Sequence, residues 1–445
     1  MSDTPAPRGG FATRIGFVLA AAGSAVGLGN IWKFPYITGE YGGGAFVLVY
    51  LFCIALVGLP LMYAELIIGR RGGSDVLGSL RKLTESGGTV GAVLSYAIGG
   101  MAVASGFLIL SFYSVVAGWA VYYAATYLGF FELGAGGDMF GSLYGTKKSL
   151  PWHSLFMVLA LSVVAGGVQG GIERACKVLM PLLAVILGIL LVYVGLTGGL
   201  AESASFLFAP NFSKLSGDAV LEALGHSFFT LSLGMGAMVT YGSYLNSDGA
   251  VVRDGIIVAL LDTAIALVSG LVIFAVVFSH EGAEPGAGPG LVFVTLPGLF
   301  ADMPFGRVFG FAFFVLLVFA AWSSAISLLE VVVAFLVDRL KMQRKVAALS
   351  AGVSIWALGL WPALSTEALD LLDNLTTKYM LPLGGLGIAI AAGWLLTKKD
   401  REAGFLSLGE SGVALSKAWT IIIRFVTPVL VALVILKGVG VLGGD

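Results

Sequence analysis

Apolar residues run along this chain in blocks too long for one face of a soluble helix. No charge falls between Arg14 and Lys33, Glu40 and Glu65, Lys148 and Glu173, Lys177 and Glu202, or Glu222 and Asp248. The same holds between Arg307 and Glu330, Lys345 and Glu367, and Lys378 and Lys398. About 20 apolar residues in a helix cover a hydrocarbon core roughly 30 Å thick, so each block predicts a crossing. Asp254 to Glu281 adds a crossing interrupted only by Asp262, and a weaker one from about Ala418 to Leu436 carries Arg424. The stretch from Ser86 to Phe131 is charge-free for 46 residues. It reads as one long helix with an irregular start, two crossings being the alternative. The count is then eleven.

Two of the eleven differ chemically from the rest. The first reads Ala20-Ala-Ala-Gly-Ser-Ala-Val-Gly-Leu-Gly-Asn30, and the sixth Phe228-Phe-Thr-Leu-Ser-Leu-Gly-Met-Gly-Ala237. Glycine tolerates non-helical backbone. Unwound backbone survives in lipid only where protein covers it or it lines a cavity. Close packing through small residues explains either segment alone. The matched pair, with its polar partners, favours a site instead. Five spans separate the two, and an odd repeat makes the copies run in opposite directions, the layout of an inverted-repeat secondary transporter with a midplane site. A half-helix N-terminus can hold a carboxylate, and freed carbonyls can coordinate an alkali cation. Asn30, Thr230, Ser232, Ser323 and Ser324 add side-chain oxygens, although hydroxyls often bond back to their own helix. Asp262 is costlier in lipid and marks an ion or proton path.

Composition and charge sharpen this in a few places. Charged residues are 11% of the 445 and hydrophobic ones 58%, with mean hydropathy +0.97, too little charge to cover a water-facing surface. The net charge of −1 excludes a general nucleic-acid binder. Cys53 and Cys176 make neither a disulfide framework nor a typical zinc site, and His153, His226 and His280 lie on separate spans. With the N-terminus inside, seven of the 25 Lys and Arg fall outside: Lys33, Lys147, Lys148, Lys214, Arg307, Lys378 and Lys437. The other 18 fall inside, which favours a cytoplasmic N-terminus and an extracellular C-terminus in the cell (plasma or inner) membrane. It also favours one crossing over 86–131, because a second would invert every later loop. Residues 1–10 are polar and carry no cleavable signal pattern.

The segment Ala22-Gly-Ser-Ala-Val-Gly-Leu-Gly-Asn-Ile-Trp-Lys-Phe-Pro-Tyr36 is followed by Gly42-Gly-Gly-Ala-Phe46, Gly58-Leu-Pro-Leu-Met-Tyr-Ala-Glu65 and Gly69-Arg70. Together with Phe228–Gly234 and Ala320-Ala-Trp-Ser-Ser324, it closely resembles the neurotransmitter:sodium symporter family over segments one to ten. The resemblance implies an all-α polytopic membrane protein of the leucine-transporter fold, a 5+5 inverted repeat with helices 1 and 6 unwound at mid-membrane. It also implies Na⁺-coupled import of amino acids by alternating access. Eleven spans, against the usual twelve, is similar to a bacterial amino acid transporter subgroup. The division expected is a cytoplasmic gate segment (1–10), a first repeat (11–199), an extracellular loop (200–217), a second, inverted repeat (218–397), a cytoplasmic loop (398–415) and the eleventh helix with an extracellular C-terminus (416–445).

Carried over by resemblance, the first sodium site comprises the Ala25 carbonyl, Asn30, Thr230 and Asp262, where the family usually has Asn. A carboxylate there would strengthen Na⁺ binding by charge pairing. The second site comprises the carbonyls of Gly23, Val26 and Ala320 with the hydroxyls of Ser323 and Ser324. The substrate carboxylate would meet the backbone at Leu28 and Gly29, the first ion and the Tyr113 hydroxyl. The amino group would meet carbonyls of the broken segments and Ser232, and Ala25 and Thr230 are counted with the substrate site as well. Gly27 stands where amine transporters carry Asp, which argues for a whole amino acid. The side-chain pocket would be Leu28, Ile109, Phe229, Met235, Ser324 and Leu328. It has no charge, so it would reject charged side chains. Met235 between two glycines supplies a flexible thioether, and the resemblance implies a broad hydrophobic range, aliphatic and aromatic.

For gates, the resemblance implies Lys33 with Asp373 outside, a latch weaker than the family's usual Arg pair because Lys cannot form the bidentate fork. Tyr113 and Phe229 would form the lid, and His226 stands where a Gln often supports that gate. Inside, Arg8 would pair with Asp338 near Ser243 and Tyr244, with Phe11 in place of a Trp. Gly171 and Pro181 match a Gly-x₉-Pro motif, where segment five would unwind and admit water to the second ion. Glu65 is expected to bond to broken backbone. Tyr50 lies near the chloride site of animal relatives, and Asp262 beside it could replace chloride. Chloride independence is therefore expected, and protonation of Asp262 could balance charge on the return step as proton counter-transport. The expected partners are two Na⁺ ions, a small amino acid and the bilayer, with no nucleic acid and no obligatory protein. A proton-coupled carrier of the same fold is the nearest rival, with a channel next. An intramembrane enzyme is the most distant, since no His-Glu-x-x-His or comparable catalytic motif is visible.

Overall fold

The structure, a computed structural model, describes residues 9–245, 251–280, 282–286, 288–405, 408–438 and 441. Among the described residues its regular structure is all helical, without a strand. Nine helical stretches there are long and apolar enough to cross a membrane. They supply span 2 (Gly44–Gly72), span 3 (Gly88–Leu128), span 4 (Lys147–Ala165), span 5 (Val168–Thr197) and span 7 (Val251–Phe278). Span 8 (Gly306–Leu340), span 9 (Arg344–Leu364), span 10 (Thr366–Leu395) and span 11 (Glu410–Gly438) complete the nine. Span 1 is a bent pair, Arg14–Ala25 and Gly29–Glu40, whose halves meet at 47°. Span 6 is interrupted: Gly217–Thr230 and Ala237–Gly242 flank a non-helical stretch over 231–236. Eleven spans result among the described residues. The long charge-free run holds a single 41-residue helix, ended by Gly129 in the left-handed region (φ 109°), so one crossing stands there and two do not.

The breaks have local causes. In span 1, Val26 leaves the helix (φ −69°, ψ 109°) while its N–H still bonds to the Ala22 carbonyl. In span 6, Ser232 (φ 53°), Gly234 and Gly236 (both φ 79°) occupy the left-handed region. A Cβ on Gly234 would lie 2.2 Å from the Leu381 carbonyl oxygen, so glycine is required there by space as well as by angle. Buried Glu65 of span 2 accepts the Gly234 N–H at 2.7 Å, satisfying backbone that lipid could not. This is the structural role expected of it.

The first half of span 1 packs against spans 5, 7 and 8, and the second half of span 6 against span 2, so both breaks sit inside protein. Phe17, Ala20, Ala21 and Ala22 are fully buried, and the three alanines let the neighbouring spans approach closely. The lipid face is equally legible. On span 5, Val178, Leu182, Val185, Ile189, Val192 and Leu196 are exposed at alternating steps of four and three residues, one stripe of a helix turned outward.

Candidate ion and substrate site

Oxygens gather at two places around the broken backbone. Between spans 1 and 8, Ser324 Oγ lies 3.3, 3.1 and 3.0 Å from the carbonyl oxygens of Gly23, Ser24 and Val26. Ser323 Oγ lies 3.0 Å from the Ala320 carbonyl and 3.5 Å from that of Val26. All five residues expected at the second ion position converge. Glycine 23 permits the approach, since a Cβ on it would meet Ser323 Cβ at 3.0 Å.

The second cluster joins spans 1, 6 and 7. Thr230 Oγ1 lies 3.1 Å from each carboxylate oxygen of Asp262. Asn30 Nδ2 donates to Asp262 Oδ1 at 2.7 Å, to the Asp262 carbonyl at 3.0 Å and to Thr230 Oγ1 at 3.2 Å. Asn30 Oδ1 turns back to accept the Gly27 N–H at 2.9 Å. All three side chains are buried, and the amide neutralises part of the carboxylate's demand for donors. In this arrangement the Asn30 oxygen faces its own backbone rather than the carboxylate. An alkali ion held by Asn30 and Asp262 together needs that amide turned over. Ala25, the fourth residue expected there, is buried beside the break and lines the adjoining cavity.

A small cavity of about 20 Å³ lies between the clusters, room for roughly one water. It is lined by Ser24, Ala25, Gly27, Leu28, Gly29, Ile109, Tyr113, Phe229, Ser232, Met235, Ser324 and Leu328. Eleven of the twelve residues expected for substrate are therefore brought together, and Thr230 stands outside this lining with Asp262. Tyr113 Oη accepts the Leu28 N–H at 3.1 Å, which holds the lid tyrosine onto the broken backbone. Ser232 Oγ donates to the Ser24 carbonyl at 2.7 Å, joining the two breaks directly. A Cβ on Gly27 would meet Ser324 Oγ at 2.5 Å and Tyr113 Oη at 2.8 Å, so no larger residue fits without displacing both. Admitting a side chain larger than a water requires Phe229 and Met235 to move, and of the two Phe229 is the half-buried one.

On the outer side, a second space of about 430 Å³ is lined by Lys33, Asp373, Glu222 and Phe229 among others. Lys33 Nζ sits 5.2 Å above the Phe229 ring, a cation on the lid's aromatic face. Lys33 and Asp373 face the same space, yet no ion pair within 4 Å joins them among the described residues. His226 is buried, its ring against Phe34 and Tyr50 at 6.2 and 5.5 Å.

On the inner side, Arg8 lies outside the described residues, so its pairing with Asp338 cannot be placed. Asp338 accepts the Asp75 N–H at 2.7 Å and the Ser74 hydroxyl at 3.3 Å, from the loop after span 2. Phe11 donates its N–H to the Tyr244 carbonyl and packs edge-on against Tyr241 and Tyr244, as a plug at this end. Tyr244 Oη donates to Glu330 Oε1 at 2.5 Å, and Arg344 grips both Glu330 oxygens. Glu173 accepts the Ala12 N–H at 2.7 Å, the Thr13 hydroxyl at 2.8 Å and an ion pair from Lys177 at 2.6 Å. Gly171 lies in the wide, π-type turn that opens span 5, and Pro181 lies inside the helix that follows. Sequence reasoning missed Ser24, Glu173, Glu330 and Arg344. Ser24 acts largely through its carbonyl, which no side-chain pattern reveals. Glu330 was open to detection, because it lies inside span 8 and a carboxylate in a span is expensive.

Discontinuous helices that expose peptide oxygens, a closed pocket between them, a vestibule on one side and a latched N-terminal segment on the other define a secondary carrier. The comparisons agree. The model of the sodium:neurotransmitter symporter family matches residues 8–131 and 146–442. An uncharacterised sodium-dependent transporter, YhdH of Bacillus subtilis, is 36% identical over 97% of this chain and 98% of its own. The human sodium- and chloride-dependent GABA transporter 2 is 26% identical over 80% of this chain and 67% of its own. The crystal structure of MhsT in complex with L-phenylalanine superposes with a TM-score of 0.88, at 44% identity, covering 97% of this chain and 100% of that one. The chain belongs to the sodium:neurotransmitter symporter family. It is a sodium-coupled transporter and not an enzyme.

Proposed function

We propose that this chain imports hydrophobic neutral L-amino acids, aliphatic and aromatic, together with two Na⁺ ions across the cell membrane, with the N-terminus cytoplasmic and the C-terminus extracellular. One observation carries the reading: the pocket beside the two oxygen clusters is lined by peptide groups and hydroxyls at one end, by apolar side chains at the other, and by no charge. A zwitterion satisfies the first end and a hydrocarbon or ring the second. The substrate carboxylate would take the Leu28 N–H and receive the Tyr113 hydroxyl, and Phe229 would close over the side chain. A charged side chain would be buried unpaired, at a cost of several kcal/mol.

The first ion would sit among the Ala25 carbonyl, Asn30, Thr230 and Asp262 after the Asn30 amide turns its oxygen inward. The second would tie span 1 to span 8 through Gly23, Val26, Ala320, Ser323 and Ser324. Lys33 with Asp373 would latch the outside, and Arg8 with Asp338 and Tyr244 the inside. Unwinding between Gly171 and Pro181 would then release the second ion inward. Asp262 supplies a fixed negative charge, so transport would not need chloride, and a proton on Asp262 would travel back on the return step.

The test is a thermal-shift screen of the twenty amino acids in sodium chloride, choline chloride and sodium gluconate. Large neutral residues, phenylalanine and leucine among them, should stabilise the protein only with Na⁺, and gluconate should change nothing. No Na⁺-dependent hit sinks the reading as a whole. Binding lost in gluconate sinks chloride independence alone. Binding in choline at acidic pH would favour the proton-coupled alternative.

A further inference from the structure

At the end of span 10 two guanidinium groups converge on one carbonyl. Arg424 Nε donates to the Gly393 oxygen at 2.5 Å, and Arg401 donates to the same oxygen at 3.3 Å and to the Leu396 oxygen at 2.5 Å. These bonds cap the last turn of span 10, whose helix closes at Leu395, but they use few of the five N–H groups on each arginine. Neither arginine has an ion pair among the described residues. Of the nearby carboxylates, Asp400 is engaged by Arg71 at 2.5 Å, and Glu402, 3.8 Å from Lys398, is the one whose charge also reaches Arg401. Burial, and after it the Arg424 charge, hold the Arg401 guanidinium below its usual range, which marks two like charges brought together in partly desolvated surroundings.

The neighbours of these residues point the other way, into lipid. Trp394 follows Gly393, and Phe425 follows Arg424. The two rings meet at 6.2 Å, edge to face, and are 46% and 61% exposed. An exposed tryptophan at a span end, next to the charged segment Lys398–Ala403, belongs to the interfacial belt of a membrane protein. Half-buried cations and exposed aromatic rings thus adjoin at one place on the bundle surface.

We propose that Arg401 and Arg424 bind the phosphate of an acidic phospholipid in this leaflet, while Trp394 and Phe425 seat the upper part of its acyl chains. An anion supplies the countercharge that one carboxylate leaves incomplete for two guanidiniums, and planar guanidinium forks match its oxygens. A zwitterionic lipid carries a compensating cation and gains less. The site does not depend on which amino acid is carried or on which side of the membrane this end lies.

The test uses the full chain, purified and exchanged into detergent with added dioleoylphosphatidylglycerol, dioleoylphosphatidylcholine or inorganic phosphate, with retained lipid counted by native mass spectrometry. Phosphatidylglycerol should be retained preferentially by about thirtyfold, the selectivity expected from roughly one kcal/mol for each of two cations near an anionic group. The double variant Arg401→Gln/Arg424→Gln should lose that preference, and Trp394→Ala/Phe425→Ala should weaken retention without reversing it. Glu402→Gln should leave the preference in place. Equal retention of the two lipids by the unmodified chain overturns the proposal without recourse to any variant. So does a preference that survives loss of both arginines, or competition by inorganic phosphate at equal concentration, which would make this a free-anion site.

Discussion

At the residue scale, two positions decide what the pocket accepts. Gly27 is the tighter of them, because a Cβ there would press on Ser324 Oγ at 2.5 Å and Tyr113 Oη at 2.8 Å. Overpacking a close-fitted site costs about 1–3 kcal/mol. Gly27→Ala should therefore lower the melting temperature without substrate by a few degrees and lower phenylalanine affinity by about tenfold or more. Affinity within twofold of the parent would remove Gly27 from the site. Asp262 decides the ion. Its carboxylate is in contact with both Asn30 and Thr230, so Asp262→Asn removes the one formal charge in that cluster. Bonds to charged groups contribute about 1.5–3 kcal/mol, so the apparent Na⁺ affinity should fall between roughly tenfold and a hundredfold. A Na⁺ titration of substrate binding reads this directly, and an unshifted midpoint counts against the first ion position. Asp262 was legible in the sequence because it is a lone charge in an apolar run. Ser24 was not, because its contribution is a carbonyl freed by a bend whose exact position depends on the Val26 backbone.

At the element scale, the spans were legible because lipid imposes a simple rule: charge stops where hydrocarbon begins. The same rule hid Glu173 and Glu330. Each was read as the edge of a charge-free run, when both are in fact buried and hydrogen-bonded inside the helical bundle. Glu173 ties the segment before span 1 to the start of span 5, and Gly16 leaves it room, since a Cβ on Gly16 would lie 2.2 Å from Glu173 Oε1. Breaking this clasp should let the two elements part. Cys176, three residues further along span 5, is fully buried and reports on it. In a chain whose other cysteine, Cys53, is replaced by alanine, Glu173→Ala should raise the rate of thiol labelling by about tenfold or more, since it removes a charge-assisted anchor contributing about 1.5–3 kcal/mol. Labelling as slow as with Glu173 present would mean that the clasp does not govern access to this end.

At the scale of the whole molecule, the two oxygen clusters matter because of what they join. One bridges spans 1 and 8, the other spans 1, 6 and 7, so each ion bound would fasten span 1 to a different part of the bundle. A ligand that binds only the folded state adds about 2.7 kcal/mol of stability at a hundredfold excess over its dissociation constant. Two independent sites each add about 1.4 kcal/mol per decade of free ion beyond saturation, so stability against the logarithm of Na⁺ should climb at twice the slope of a single site. The variants separate the contributions. Ser323→Ala should remove most of the second ion's share, and Asp262→Asn most of the first's, each halving the slope. The two together should leave the melting temperature as indifferent to NaCl as it is to choline chloride at the same ionic strength, which controls for screening. A slope that neither variant changes would place Na⁺ elsewhere. A slope abolished by one variant alone would mean a single ion, or two so coupled that the first builds the site for the second, since the carbonyl of Val26 and the amide of Gly27 adjoin in the same bend.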